Sequence, residues 1–340
     1  MPTPTLLAVP NVSEGRDAAM VAAIGAAFAG RPETGGEDGH DGTGGRAQGR
    51  QPGGARLLDT HYDGDHHRSV FTLAGAPGEL ADALVAGAKE AVERIDVMSR
   101  SGARRGEHPH VGAVDVVPVV YLDDGARGAA CAEALVVADR IGKELKVPVF
   151  LYGALAGGRA RAELRRGGVA GLAGRIAAGE LRPDFGPSRP HPSGGSTLVA
   201  AREPLVAFNL QLASPASVED ARRIAGLIRE GGGEGLTGLR AIGVELKRSS
   251  RAWSVGTAAV GAAAGEPVEG DTVAQVSMNV ERPGEVPLAM VVEAVRRHAE
   301  IASGELVGLA PRAALEGFPE DLPLVGFDRA RHLIENALAG

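Results

Sequence analysis

A single cysteine in 340 residues excludes an internal disulfide framework and a thiolate zinc cluster, both of which need several. Aromatic residues are only 3% of the chain, too few for the stacking platforms that hold single-stranded nucleic acid. There is no basic excess either: the formal net charge is -7, so no positive field recruits nucleic acid. No window approaches the ~20 apolar residues of a membrane span. The amino terminus, Met1-Pro2-Thr3-Pro4-Thr5, shows no charged leader followed by an apolar run, and a cytoplasmic protein is expected. What is present is a composition of 44% apolar and 23% charged residues, that of a water-soluble globular chain. Its length leaves room for two domains at ~100–200 residues each. The lone Cys131 falls among Ala and Leu on a helix predicted over 129–145, where it reads as a small buried hydrophobe.

Leu6-Leu7-Ala8-Val9 reads as a buried strand that ends at Pro10. Asp17 is placed to cap a helix carrying Met20, Val21, Ile24, Ala27 and Phe28 at helical spacing. Arg31 to Ala55 holds nine glycines and no Val, Ile, Leu or aromatic residue, so a disordered insertion is expected there. Strands follow at Leu57-Leu58-Asp59 and Ser69 to Leu73. Pro77 then opens a helix with Leu80, Leu84, Ala88, Val92 and Ile95 on one face. A strand at 113–121, the Cys131 helix and a strand at 147–151 complete the first half. A Gly/Arg-rich, partly helical linker spans 154–180. The second half predicts strands at 197–200 and 205–208 and a helix capped by Ser214-Pro215. Strands at 239–246 and 273–280, a helix over 287–302 and a strand at 306–309 follow. Each half can be written strand–helix–strand–strand–helix–strand. The expected fold is α/β (α+β): two similar subdomains, 1–182 and 183–340. Each is a mixed or antiparallel sheet with a helical layer, in the ferredoxin-like βαββαβ pattern.

Four segments concentrate chemistry. In Gly106-Glu107-His108-Pro109-His110-Val111-Gly112-Ala113-Val114-Asp115, a carboxylate and two imidazoles crowd a loop that runs into an apolar strand. An imidazole titrates near neutrality and can both give and take a proton, so His108 beside Glu107 is the leading acid–base candidate. Asp115 is placed either to orient that ring or to pair with an arginine. The turn His61-Tyr62-Asp63-Gly64-Asp65-His66-His67-Arg68 has residue types that suit zinc or manganese together with His108 and His110. Its spacing matches no familiar ligand signature, and a hairpin turn accounts for it, so no metal is expected. In Pro183 to Thr197, prolines hold the backbone extended and a Gly pair lets a ligand approach it closely. No Gly-Lys-Ser/Thr ending is present, which argues against a phosphate-binding P-loop. In Val9 to Arg16 a strand ends and a helix begins, with backbone amides that could meet an anion.

Taken together, these segments resemble the glutamate formiminotransferases of histidine degradation. The resemblance is carried in order from residue 6 to about residue 317. Its pieces are Val9-Pro10-Asn11-Val12-Ser13-Glu14-Gly15, Arg68-Ser69-Val70-Phe71-Thr72, Gly106-Glu107-His108-Pro109 and Gly112-Ala113-Val114-Asp115. Val147 to Gly153, Pro183 to Ser188, Ala207-Phe208-Asn209 and Leu306-Val307-Gly308-Leu309 continue it. It implies transfer of a formimino group from N-formimino-L-glutamate to tetrahydrofolate as co-substrate, with no metal. It also implies a homodimer and no fused cyclodeaminase domain. His108 falls on the family's catalytic histidine. The folate loop falls on Gly186-Pro187-Ser188-Arg189-Pro190-His191-Pro192-Ser193-Gly194-Gly195, in a groove between the two subdomains. Asn11, Arg68, Glu107 and Arg202 are candidate donor-binding residues, with Arg104 and Arg105 as further carboxylate clamps. The chain departs from the family pattern at His110, where Arg is usual, at His67, where Asn is usual, and near Gly194, where an aromatic is missing. The segment 248–271 lies outside the family core, as does 31–55.

Three other readings use the same residues. N-formylglutamate could serve as donor on the same fold and histidine. A metal-dependent amidine hydrolase could be built from the 61–67 turn with His108 and His110. A non-catalytic folate-binding protein would keep the loop without turnover.

Overall fold

The structure is a computed structural model that describes residues 3–30, 54–99, 109–247 and 272–340. The insertion expected over 31–55 therefore lies almost wholly outside the described residues, as does the 248–271 segment. The chain divides into two compact units, 1–58 with 71–202 and 59–70 with 203–340.

In the first unit β1 (Leu6–Ala8) and β2 (Asn11–Val12) are two pieces of one line, interrupted at Pro10. Proline has no N–H to give to a ladder, yet its carbonyl still accepts from Phe71 N at 3.0 Å. After α1 (Ala18–Phe28) come β3 (Arg56–Asp63), β4 (Arg68–Gly75), α2 (Leu80–Arg94) and β5 (Val114–Tyr121). The spatial order β3, β4, β1/β2, β5 is that of the expected βαββαβ pattern. The tip of the β3–β4 hairpin, 59–70, groups with the second unit. The chain then adds α3 (Arg127–Glu144), β6 (Val149–Leu151), α4 (Arg161–Arg165), α5 (Gly168–Ala177) and β7 (Thr197–Arg202). β7 lies parallel between β5 and β6, Val116 opposite Leu198 and Phe150 opposite the same residue. This corrects two expectations. The strand at 197–200 belongs to the first sheet, and 154–180 is a crossover within the first unit rather than a linker between domains. The compact border accordingly falls after Arg202, beyond the 182/183 border read from the sequence. The physical reason is burial: Thr197 to Ala201 is buried throughout, as a strand covered on both faces must be.

Asp17 caps α1 as expected, accepting from Met20 N at 3.0 Å. α2 is capped from elsewhere: the buried Glu133 of α3 accepts from Gly78 N at 2.6 Å and Ala81 N at 2.8 Å. Cys131 is half-buried rather than buried, because Ala130, Ala134, Val137 and Ala138 occupy the inner face of α3.

The second unit runs β8 (Val206–Leu212), α6 (Val218–Ile228), β9 (Leu239–Lys247), β10 (Thr272–Val280), α7 (Leu288–Arg296) and β11 (Ile301–Val307). A short edge strand, β12 (Leu324–Val325), and the helices α8 (Arg329–His332) and α9 (Ile334–Ala339) complete it. The sheet order β12-β11-β8-β10-β9 again matches the split pattern. The cap of α6 is Ser217, in a reciprocal capping box with Asp220, not Ser214. α7 stops at Arg296, short of the predicted 302. Residues from Ile301 pair instead with β8, Ile301 opposite Leu212. One sheet face supplies Phe208, Leu210, Val276, Met278 and Leu306 to a core with Ile224, Val291 and Val295 of the helices. The alternate positions, Asn209, Gln275, Ser277 and Glu305, are buried polar residues on the opposite face.

Candidate active site

His108 and Glu107, with Arg104 and Arg105, lie outside the described residues; the structure resumes at Pro109. From there the chain is pinned residue by residue. Val111 accepts from Ser196 N at 3.0 Å, Ala113 N donates to Gly194 at 2.9 Å, and Gly112 bridges Gly195. The approach requires glycine on both sides. A Cβ on Gly112 would sit 1.9 Å from the Ser196 carbonyl oxygen, and Gly195 holds φ at +69°. The buried Ser13 adds a third strand, donating through Oγ to the Gly112 carbonyl at 2.7 Å. Thr197 Oγ1 donates to the Val114 carbonyl at 2.9 Å.

Asp115 answers the question the sequence left open. It is fully buried, accepts from Val111 N at 2.9 Å through Oδ1, and forms an ion pair with the buried guanidinium of Arg165 through Oδ2. Both groups are withdrawn from solvent, and each depends on the other. The carboxylate thus anchors the strand end that follows His108.

The 183–197 loop is fastened at both ends. Asp184 accepts from Leu151 N at 2.7 Å and Arg159 Nη1 at 2.9 Å, and Gly186 passes against Gly142 of α3 with no room for a side chain. Pro187, Ser188, Arg189 and Pro190 follow as exposed or half-buried loop. His191 then closes a tight turn: its N–H donates to Gly195 at 2.8 Å, and its ring Nδ1 accepts from Gly194 N at 2.9 Å. Ser193 Oγ lies 3.3 Å from the same nitrogen, Ser193 O accepts from Val97 N at 2.9 Å, and Pro192 remains exposed. Burial holds the His191 imidazole below its ordinary pKa of 6.5. The structure therefore brings the segment that follows His108 and the turn 191–196 into one laced unit.

Residues 5–202 match the family described as the formiminotransferase domain, N-terminal subdomain. A glutamate formimidoyltransferase of Streptococcus pyogenes serotype M1 is 34% identical over 84% of this chain and 90% of its own length. The chain belongs to the formiminotransferase family. A second relative, the glutamate formimidoyltransferase of Thermoplasma acidophilum, is 31% identical over 96% of this chain and 94% of its own. The formimidoyltransferase-cyclodeaminase of Sus scrofa is 33% identical over 90% of this chain but only 50% of its own length. The formiminotransferase match ends at Arg202, where the first compact unit also ends.

Other candidate residues of this formiminotransferase are placed differently from one another. Asn11 turns its amide to the Val9 carbonyl at 3.0 Å. Arg68 opens β4. Arg202 closes β7 beside Val120, about 20 Å along the strand from Gly195 at ~3.3 Å per residue, so the structure does not bring it to the laced loops. The helix start at 14–17 is no anion site. Glu14 Oε1 already accepts from the amides of Gly15, Arg16 and Asp17 at 3.0, 2.9 and 3.1 Å. In the 61–68 turn, Asp63 Oδ1 accepts from Asp65 N and His66 N, which accounts for its composition. His66 Nε2 lies 3.3 Å from Gln275 Oε1, and His61 Nε2 lies 3.4 Å from Glu305 Oε1. Buried His67 takes φ 50°, and His110 is buried. Among the described residues, no three His, Cys, Asp or Glu converge as metal ligands. Arg165 and Glu305 were missed by sequence reasoning; Arg165 lies far along the chain from Asp115, and no spacing rule links them.

Proposed function

We propose that this protein transfers the formimino group of N-formimino-L-glutamate to tetrahydrofolate, giving 5-formimidoyltetrahydrofolate and L-glutamate, a step of histidine degradation. The observation that carries this reading is the collinear likeness to glutamate formimidoyltransferases of similar length across most of the chain. The chemistry suits the residues. Attack of a pterin nitrogen on the formimino carbon forms a tetrahedral intermediate. The attacking nitrogen must lose a proton, and the departing glutamate amine must gain one. We assign that proton shuttle, worth about 10²–10⁴-fold in rate, to His108; the described segment that follows it in sequence is anchored through Gly112 and Asp115. Arg68 is proposed to pair with a carboxylate of the donor, and Glu107 to contact the donor elsewhere. Asn11 is retained as a donor-side residue, and Arg202 only as a contact for the far end of a long ligand.

The folate is proposed to lie along 186–195. The fit is favourable: an extended Pro-held backbone, two glycines without side chains, and the exposed Arg189 to meet a carboxylate tail. No metal takes part in this scheme. Among the described residues, no helix is long and apolar enough to cross a membrane. A cytoplasmic homodimer is the proposed working form.

The test is an assay of purified protein with tetrahydrofolate and either N-formimino- or N-formyl-glutamate, with and without chelator, and with His108→Ala alongside. Formimino transfer that survives chelation and falls at least 100-fold in the variant supports the assignment. Wild-type turnover by His108→Ala would remove His108 from it.

A further inference from the structure

On the second unit's sheet, Glu305 of β11, Asn209 of β8 and Gln275 of β10 form a buried polar row. That row meets the hairpin tip 59–70, which belongs to the same unit. Two imidazoles of the tip make the contact. His61 Nε2 lies 3.4 Å from Glu305 Oε1, and His66 Nε2 lies 3.3 Å from Gln275 Oε1. β8 runs between the two anchor strands, which sets the anchors roughly 10 Å apart across the sheet at ~4.8 Å per strand. Between the anchors the turn is tied internally. Asp63 Oδ1 holds the amides of Asp65 and His66, and His67 takes φ 50°, a backbone that persists in a non-glycine residue only where its surroundings over-determine it. Arg68 follows at once as the first residue of β4.

The two anchors differ in kind. The His66 contact is a hydrogen bond in which the Gln275 oxygen accepts, and a neutral ring serves it. The His61 contact lacks hydrogen-bond geometry, and neither of its two atoms has another hydrogen-bond partner among the described residues. It is therefore held by charge. Glu305 keeps only the Asn209 Nδ2 bond, 2.9 Å, at its other oxygen. The side chains are 15% and 9% exposed, so screening by water and salt is weak. A neutral His61 leaves Glu305 Oε1 buried without a partner charge.

We propose that His61 and Glu305 are positioning residues for the donor: as an ion pair they hold the tip, and with it Arg68, in place, and deprotonation of His61 releases that anchor. The inference rests on the transferase reading, with Arg68 paired to a donor carboxylate, and neither positioning residue touches the donor. The groups that face His61 are Glu305 from β11, His332 from α8 in the same cleft, and Asp59 and Asp63 on its own strand. His332 Nδ1 is already committed, accepting from Asp328 N at 2.8 Å. Burial pulls the His61 pKa down, but Glu305 and the carboxylates of Asp59 and Asp63 together raise it above 6.5. The anchor is complete below 6.5 and is lost as pH rises through the folded pKa.

The test follows amide hydrogen exchange of residues 61–68 in the full chain against pH, corrected for intrinsic exchange, while the His61 Cε1–H resonance reports its protonation. Protection should fall about 10–100-fold as His61 loses its proton, the worth of a contact to a buried charged group. The KM for N-formimino-L-glutamate should rise over the same range. His61→Gln never carries charge, so its protection and KM should hold the wild type's alkaline values at every pH, while kcat keeps the wild-type pH profile. Glu305→Gln should do the same, and His61→Gln carries the test if that variant fails to fold. Wild-type protection that stays flat across the His61 titration, or the same pH dependence in His61→Gln, overturns the clasp. Protection that follows His61 while the donor KM does not overturns the positioning role. Absence of turnover at every pH rejects the transferase reading, and the exchange data then decide the clasp alone.

Discussion

Replacing Asp115 by alanine leaves the Arg165 guanidinium buried with its ion-pair partner gone, and removes the acceptor of the Val111 amide. The carboxylate is 0% and the arginine 8% exposed, so solvent cannot take over either role. Breaking such a buried pair costs about 3–5 kcal/mol, against a total stability of about 5–15 kcal/mol for a typical domain. The orphaned Val111 N–H is a part of that loss, about 1–3 kcal/mol if counted alone. The double variant Asp115→Val/Arg165→Met removes both charges while filling the space. It should lie only that 1–3 kcal/mol below wild type, closer than either single change. Urea unfolding of wild type, Asp115→Val, Arg165→Met and the double variant, followed by circular dichroism, gives the four corners of the cycle. Hydrogen exchange at the Val111 amide reports the local event. Protection there should fall in Asp115→Ala, and folate affinity with it, because the Val111 carbonyl holds Ser196. A loss below about 1 kcal/mol in Asp115→Ala, or simple additivity of the two single changes, would refute the account of Asp115 as a carboxylate committed to Arg165.

Gly112→Ala should fold poorly or weaken folate binding at least tenfold in an equilibrium titration, since the added carbon meets Ser196 O at 1.9 Å. Gly87→Ala, whose Cβ would come within 2.1 Å of Phe28 in the α1–α2 contact, should lower stability by about 1–3 kcal/mol despite its better helix propensity, as read by thermal unfolding. The turn at His191 should weaken in acid. With the folded pKa below the unfolded value of 6.5, its contribution is complete above 6.5 and is lost as pH falls from there toward the folded pKa. His191→Gln should flatten that part of a stability-against-pH curve. The raised pKa of His61 acts in the opposite sense: its contribution is complete below 6.5 and fades as pH rises through the folded pKa, a trend His61→Asn should abolish.

Much of this was legible in the residues. Helical spacing at Leu80, Leu84 and Ala88 and the run Val114 to Tyr121 named elements that the structure contains, because burial of one face or of a whole strand leaves a periodic trace. Asp17 read correctly as a cap because capping is a matter of three residues. Ser214 read wrongly because Ser217 offers the same chemistry with a partner at Asp220, and the choice between them depends on where the helix docks.

The site divides along the same line. The sequence by itself determined that an imidazole and a carboxylate stand where a glycine-punctuated loop meets an apolar strand, and that the pattern is a formiminotransferase's. Composition and local spacing are intrinsic to the chain, so they survive without coordinates. Only the tertiary structure decided that Asp115 serves Arg165, that Glu14 occupies its own helix start, and that β7 completes the first sheet. It also decided that Glu305 meets His61. Those pairings join residues far apart in the chain, where the free energy lies in burial and in charges matched within it. Neither leaves a mark on the neighbouring sequence.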